Sequence, residues 1–451
     1  MPPESATRRI LAPLTAAILL AYFLFFTAKS IHLYFDQDDM SNLYFAWTKP
    51  VTANLRPLGA LFYRVMFALA GFNPVPFRIV CLCLGIANMG LCFWFARLVT
   101  GSNRISALAT LLFAYHPRLI EVWYRTAVIY DLLCFTFFYL AACLWIQARK
   151  RGAYPAPVRL VVILFFFICA LEAKEIAVAL PVVLLCYELV IERANWKKLW
   201  PIALMAVLNA LYLYSKTHGA NAMVNNPYYT PEYTYARFAG AWALYFNYLA
   251  IKENLLAPSM AVALLIALLL VAPVVRSRTL LFAFLTAFVA TLPVSFIPYR
   301  GGFVIYIAYA AWTLYAAIVL VRLQDLLIRS HPQYRTALAC LVFAIVAWRF
   351  GKISLHDQRV EPKLWLYDGP KLVRAMADQM RALHPTLPKG ARTLFLDDPF
   401  ATDEYTPYFI MVLLYRDPAI VVDRIKMMPG KSPDRSHYQY IFTCNETTCR
   451  E

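Results

Sequence analysis

Apolar runs long enough to cross a bilayer recur along most of this chain, separated by short loops rich in Lys and Arg. The hydrocarbon core of a membrane takes about 20 apolar residues as a helix. A chain with this pattern folds as a bundle of membrane helices. Composition agrees: 61% of the residues are hydrophobic and only 15% are charged, where soluble domains carry about 25% charged residues. Leu11 to Lys29 is a full span with no small-residue cleavage site, so it reads as an anchor and not as a cleaved signal.

Charge sets the expected orientation. Lys and Arg collect on the cytoplasmic side of membrane proteins. Arg8 and Arg9 therefore place the N-terminus inside. Gly71 to Thr100 returns the chain to Arg97 and Arg104, and a short span then exits near His116-Pro117. Thr126 to Arg149 runs inward to Arg149-Lys150-Arg151, the strongest inside signal. Arg159 to Leu171 exits, Ile176 to Ile191 re-enters to Arg193, Lys197 and Lys198, and Leu199 to Ser215 exits again. Arg237 to Ala250 is aromatic and apolar and is assigned to the interface. Leu256 to Val275, Leu280 to Ile297, Phe303 to Val321 and Ala337 to Phe350 complete about eleven spans. The net charge of +17 is largely accounted for by the inner loops. It points to acidic head groups and phosphate-bearing lipids as partners, and not to nucleic acid.

Residues 351–451 are more polar. Thr393 to Leu396 and Ala419 to Val422 look like short buried strands, and Pro407 to Tyr415 between them looks helical. The expected architecture is an all-α polytopic membrane domain over 1–350, followed by a small extracytoplasmic α/β domain over 351–451. Eight of the ten Cys lie in apolar segments and read as small buried hydrophobes. Cys444 and Cys449 lie in the polar tail, where a disulfide forms if the tail is outside the cytoplasm.

Directly after the first span the chain reads Phe35-Asp36-Gln37-Asp38-Asp39. A carboxylate costs about 2.5–3.5 kcal/mol at mid-bilayer, so these acids belong at the surface or in a polar cavity. With the topology above, Glu121, Asp131, Glu172 and Glu175 fall on the same outer side, with Arg56, Arg64, Arg118, Arg125, Lys174 and Arg300. A polar cavity explains the whole set. Helix capping and head-group contacts explain each member singly.

Several segments, in order, resemble one family. They are Asn54-Leu55-Arg56-Pro57-Leu58 with Phe72-Asn73-Pro74-Val75-Pro76-Phe77, the pair Asp38-Asp39, His116-Pro117-Arg118-Leu119-Ile120-Glu121, and Asp131-Leu132-Leu133. Glu172-Ala173-Lys174-Glu175 with Leu180-Pro181, and Gly302-Phe303-Val304-Ile305 with Tyr309, continue the series. Together they resemble the membrane part of the transmembrane and tetratricopeptide-repeat O-mannosyltransferases, without the repeats. The wider kinship is with GT-C glycosyltransferases, which include protein O-mannosyltransferases and the bacterial aminoarabinose transferase. The family arginine after G-F-V-I is missing where the chain reads Tyr306-Ile307-Ala308-Tyr309, so either Arg300 replaces it or the lipid phosphate is bound differently.

The resemblance implies transfer of a sugar, a mannose-like hexose by analogy, from a polyprenyl-phosphate carrier to a hydroxyl acceptor on a protein, lipid or glycan. Such transfer is inverting and needs a carboxylate to take the hydroxyl proton and cations to stabilise the leaving phosphate. Asp38 is the expected general base, with Asp39 orienting it. Arg56, Lys174 and Arg300 are expected at the phosphate, and Glu121, Asp131 and Glu175 at the sugar or ordering that network. The Asp36-x-Asp38 spacing is similar to that of metal-binding glycosyltransferases, but two carboxylates do not complete a Mg²⁺ shell. No metal ligands and no cofactor are assigned. The expected location is a bacterial inner membrane, N-terminus cytoplasmic and C-terminal domain periplasmic. The alternatives are a transporter or flippase of lipid-linked sugars, or a glycan polymerase or ligase using a polyprenyl-diphosphate carrier.

Overall fold

The computed structural model describes residues 4–152, 154–195, 199–218, 222–329, 331–360, 364–430 and 433–451. Lys197 and Lys198 lie outside these residues. Five described helices are long and apolar enough to cross a membrane: Leu11–His32, Pro74–Thr100, Thr126–Lys150, Gly302–Leu327 and Arg335–Val360. Shorter apolar helices cover Pro57–Ala70, Asn103–Ala114, Pro258–Val274 and Arg278–Val294. The expected spans at 159–171, 176–191 and 199–215 are also helical. They appear as Pro157–Ala173, as Leu180–Cys186 continuing into a π-helix Tyr187–Glu192, and as Trp200–Thr217. The chain is a multi-pass membrane protein.

The chain divides into two compact units. The first comprises residues 1–28, 82–123 and 130–362. Its core is the helix Tyr306–Leu327, packed against Asn103–Ala114 and Arg278–Thr291. Small residues on this helix, Ala308, Ala310, Ala311 and Ala317, are buried and let its neighbours approach closely. Tyr hydroxyls are satisfied by backbone carbonyls of neighbouring helices. Tyr309 donates to Leu112 at 2.7 Å, Tyr315 to Leu268 at 2.8 Å and Tyr139 to Ile307 at 2.8 Å. Without such partners each hydroxyl would be a buried unsatisfied group. The helix Tyr235–Leu249, expected at the interface, buries Trp242, which stacks on Phe288.

The second unit comprises residues 29–81, 124–129 and 363–451. It holds a four-stranded sheet: β1 (Arg392–Asp397), β2 (Val421–Arg424), β3 (Tyr440–Cys444) and β4 (Cys449–Arg450), in the order β2-β1-β3-β4. β1 pairs in parallel with β2 and β3, and β3 pairs antiparallel with β4. The expected β-α-β unit is present, with the helix Thr406–Leu414 between β1 and β2. β2 begins two residues later than Ala419. There Asp417 accepts from the Ala419 and Gly390 amides at 2.9 and 2.7 Å, and holds a turn. Cys444 and Cys449, opposite each other in the β3–β4 register, form a disulfide.

The helix Gln37–Thr48 belongs to this second unit and packs on both Pro57–Ala70 and Thr406–Leu414. Tyr44 and Tyr408 share a hydroxyl hydrogen bond of 2.9 Å, and Gln37 Nε2 donates to Glu404 Oε2 at 2.7 Å. The loop carrying Glu404 is fixed from below by a buried pair. Arg424 donates to both oxygens of Asp398 at 2.7 and 2.8 Å and to the carbonyls of Phe400 and Ala401. A buried ion pair with this many satisfied donors avoids the penalty of a lone buried charge.

Candidate functional site

The sequence-predicted residues fall into two clusters, one in each unit. In the second unit Asp36 caps the helix Gln37–Thr48. Its backbone is extended (φ −95°, ψ −177°) and its Oδ1 accepts from the Asp39 amide at 2.8 Å. Asp39 returns the contact, accepting from the Asp36 amide at 3.1 Å. The triplet therefore does cap a helix, through a reciprocal box that satisfies two otherwise orphaned amides. The cap uses Asp36 and Asp39 and leaves Asp38 on the outer surface of the first turn.

Asp38 is exposed and is held by a cation. Arg125 donates through Nη2 to Asp38 Oδ2, and through Nε to Asp36 Oδ2 at 2.5 Å. One guanidinium thus orients two of the three carboxylates. Asp39 is completely buried. The Tyr63 hydroxyl donates to it at 2.9 Å, and Arg78 Nη2 lies 3.7 Å away. Burial, and next the Asp36 carboxylate, push the Asp39 carboxyl up to about 7, with Arg78 opposing. Arg78 also donates to the Tyr34 carbonyl at 3.0 Å, while its Nε and Nη1 are buried without a hydrogen-bond partner. Arg56 stands at the N-cap of Pro57–Ala70 and is half-buried.

In the first unit the cluster forms around Arg300–Phe303. Gly301 has φ +102°, a backbone that L side chains rarely adopt, and a Cβ there would lie 2.9 Å from Glu121 Oε1. A Cβ on Gly302 would lie 2.3 Å from the Arg118 carbonyl. These two glycines let Glu121 and its flanking segment close on the loop. Arg300 stacks its guanidinium over Tyr229 at 4.3 Å, and its Nη1 is buried with no hydrogen-bond partner. Lys174 lies 4.8 Å over the Phe303 ring and forms a buried pair with Asp131 at 2.5 Å. Glu175 begins the turn Glu175–Ala179 and is half-buried.

The structure thus joins Asp131 to Lys174 and gathers Glu121, Arg300 and Lys174 along one loop. His116 is buried, which pushes its imidazole down to about 4 and keeps it neutral. Its Nδ1 accepts from the Arg118 amide at 3.3 Å, a capping role. Arg78 and Tyr63 were not singled out by the sequence reading. A lone Arg in the first turn of the apolar helix Pro74–Thr100 was a signal for the first, whereas a Tyr in an apolar helix gave none. Among the described residues no group of three or more His, Cys, Asp or Glu is arranged to hold a metal ion.

No protein-family model matches the sequence, and no curated protein matches it. Solved structures do match. The crystal structure of ArnT from Cupriavidus metallidurans bound to undecaprenyl phosphate aligns with a TM-score of 0.50 and 14% identity. The alignment covers 93% of this chain and 90% of that one. The apo form of the same protein aligns with a TM-score of 0.49 and 13% identity, covering 93% and 86%. The first alignment spans nearly the whole of both chains, and this chain shares the fold of that structure.

Proposed function

We propose that this protein is a membrane glycosyltransferase that moves a sugar from a polyprenyl-phosphate carrier to a hydroxyl acceptor at the extracytoplasmic face of a bacterial inner membrane. The observation that carries the reading is Arg300, whose buried Nη1 has no hydrogen-bond partner, on the loop that Glu121 meets at Gly301 and Lys174 meets at Phe303. A buried guanidinium nitrogen left open is costly unless an anion fills it, and Arg binds phosphate bidentately. The ArnT structure that shares the fold holds undecaprenyl phosphate, which supports the same class of carrier here. The Cys444–Cys449 disulfide supports an oxidising compartment for the C-terminal sheet. The fold is read with about eleven spans, the N-terminus inside, and 351–451 as the extracytoplasmic part.

In this reading Asp38 takes the proton of the acceptor hydroxyl as its oxygen attacks the anomeric carbon. The bond from that carbon to the phosphate oxygen breaks, with inversion, and the electron pair leaves on the polyprenyl phosphate. Arg125 aims Asp38, and Asp39 locks the helix turn that carries it. Arg300, Arg56 and Lys174 stabilise the leaving phosphate, while Glu121, Asp131 and Glu175 order those cations or contact the sugar. The sugar is a mannose-like hexose, following the segment resemblance.

The test is turnover of undecaprenyl-phosphate-linked mannose by purified protein in detergent with membrane extract as acceptor, read as released undecaprenyl phosphate. Asp38→Asn should abolish release while the protein stays folded. Release at the wild-type rate would refute the assignment.

A further inference from the structure

A second site lies outside both clusters. The second unit contains a cavity of about 470 Å³, within the ~300–1,000 Å³ typical of small-ligand pockets. Its polar lining is His32, Tyr34, Asn73, Arg374, Asp378 and Arg381. Its position follows from the chain. His32 is the last residue of one membrane-length helix and Pro74 the first of the next. The cavity therefore sits at the level where spans meet water, which is the level of lipid head groups.

Charge decides what fits. Arg374, Asp378 and Arg381 share one face of the helix Trp365–Leu383, two turns from end to end. Both arginines pair with the one carboxylate, at 3.5 and 3.4 Å, and Arg381 also meets the Tyr34 hydroxyl. These pairs are more than half exposed, and pairs of that kind contribute only about 0–1 kcal/mol. An incoming anion can replace Asp378 at small cost. The lining holds two guanidiniums against one carboxylate, and a phosphate oxygen is the acceptor that Arg pairs with best. Beside them Phe72, Pro74 and Val75 give the cavity an apolar side, suited to the glycerol and upper acyl carbons of a lipid.

We propose that this cavity binds the phosphate of an anionic phospholipid head group, with Arg374 and Arg381 as its ligands, and so ties the helix Trp365–Leu383 to the membrane surface. The site is independent of the transfer chemistry above.

Delipidated full-length protein in detergent provides the test. It is titrated separately with phosphatidylglycerol, phosphatidylcholine and inorganic phosphate, and followed by native mass spectrometry and thermal midpoint. Phosphatidylglycerol should bind at least several-fold better than phosphatidylcholine, and the doubly substituted Arg374→Ala/Arg381→Ala protein should lose that preference. Asp378→Asn, which removes the competing carboxylate, should bind more tightly than wild type, and it keeps the test valid if the double variant misfolds. Protection by inorganic phosphate that is lost in the double variant also supports a phosphate site, with the free ion as its source. Equal binding of the two lipids, or an unchanged preference in both variants, overturns the proposal.

Discussion

Arg125 Nε lies 2.5 Å from Asp36 Oδ2, and its Nη2 reaches on to Asp38. Arg125 stands 89 residues from Asp36 in sequence, so this bridge fixes the acid turn from a distant segment. Removing it should cost both position and stability. Arg125→Ala should lower sugar transfer by up to about 100-fold, the scale of a reacting group displaced by about 1 Å. The loss of charged hydrogen bonds should cost about 1.5–3 kcal/mol. Arg125→Lys keeps the charge but not the two-pronged grip, and should recover more stability than activity. Paired turnover and thermal-midpoint measurements check this, and equal recovery of both would contradict it.

The Lys174–Asp131 pair makes a different prediction. Both side chains are nearly buried, at 9% and 3% exposed. Breaking a buried pair strands the partner's charge and costs about 3–5 kcal/mol. Lys174→Met alone should therefore destabilise strongly. Lys174→Met with Asp131→Leu should regain most of that loss, because no charge is left stranded, while transfer stays low if Lys174 contacts the phosphate. A double-mutant cycle in detergent separates the two effects. An additive cycle would show that the residues do not act as a pair.

How much of this was legible in the sequence depends on the range of the interaction. Spans, and the β-α-β unit around Thr406–Leu414, came from local patterns of apolar residues and turn formers. That the acid triplet caps a helix was legible for the same reason, since cap and helix are adjacent; which acid is the cap, Asp36, came from the fold. The burial of Asp39 was not. It rests on Tyr63 and Arg78, 24 and 39 residues away, on separate helices, and no local pattern says which helices will meet. Lys174 and Asp131 were both singled out from short matching segments, yet their pairing across 43 residues needed the fold. At Gly301 and Gly302 only the packed loop shows that Glu121 and the Arg118 carbonyl are what a side chain would strike.

Asp39 predicts a pH dependence with a definite sign. Its carboxyl is raised from 3.8 to about 7 by burial and the neighbouring Asp36. Between these values the folded protein holds a proton that the unfolded chain has lost. Stability from this group is complete below about 4, falls as pH rises toward about 7, and is level above that. Asp39→Asn should flatten that part of the profile. Differential scanning fluorimetry from pH 4 to 8 measures it, and the same slope in wild type and variant would remove Asp39 as its source.

Gly302 tests whether the loop around Arg300 is as tight as its geometry indicates. A Cβ at Gly302 would meet the Arg118 carbonyl at 2.3 Å, and that oxygen belongs to backbone that cannot rotate away. Gly302→Ala must shift the Arg300–Phe303 loop or the segment beginning at Arg118, at the cost of overpacking, about 1–3 kcal/mol. Gly301→Ala adds backbone strain at φ +102°, of similar size. Gly90 is the control. It lies in the helix Pro74–Thr100 with no atom within 4 Å of a built Cβ, so Gly90→Ala should stabilise by about 0.5–1 kcal/mol through helix propensity. Thermal midpoints of the three variants in one detergent should rank Gly90→Ala above wild type and both loop variants below it. Because the loop carries Arg300, the loop variants should also lose sugar transfer beyond what their folded fraction accounts for. A loop variant with full activity per folded molecule would mean that the close approach of Glu121 to the Arg300–Phe303 loop is not used in the reaction.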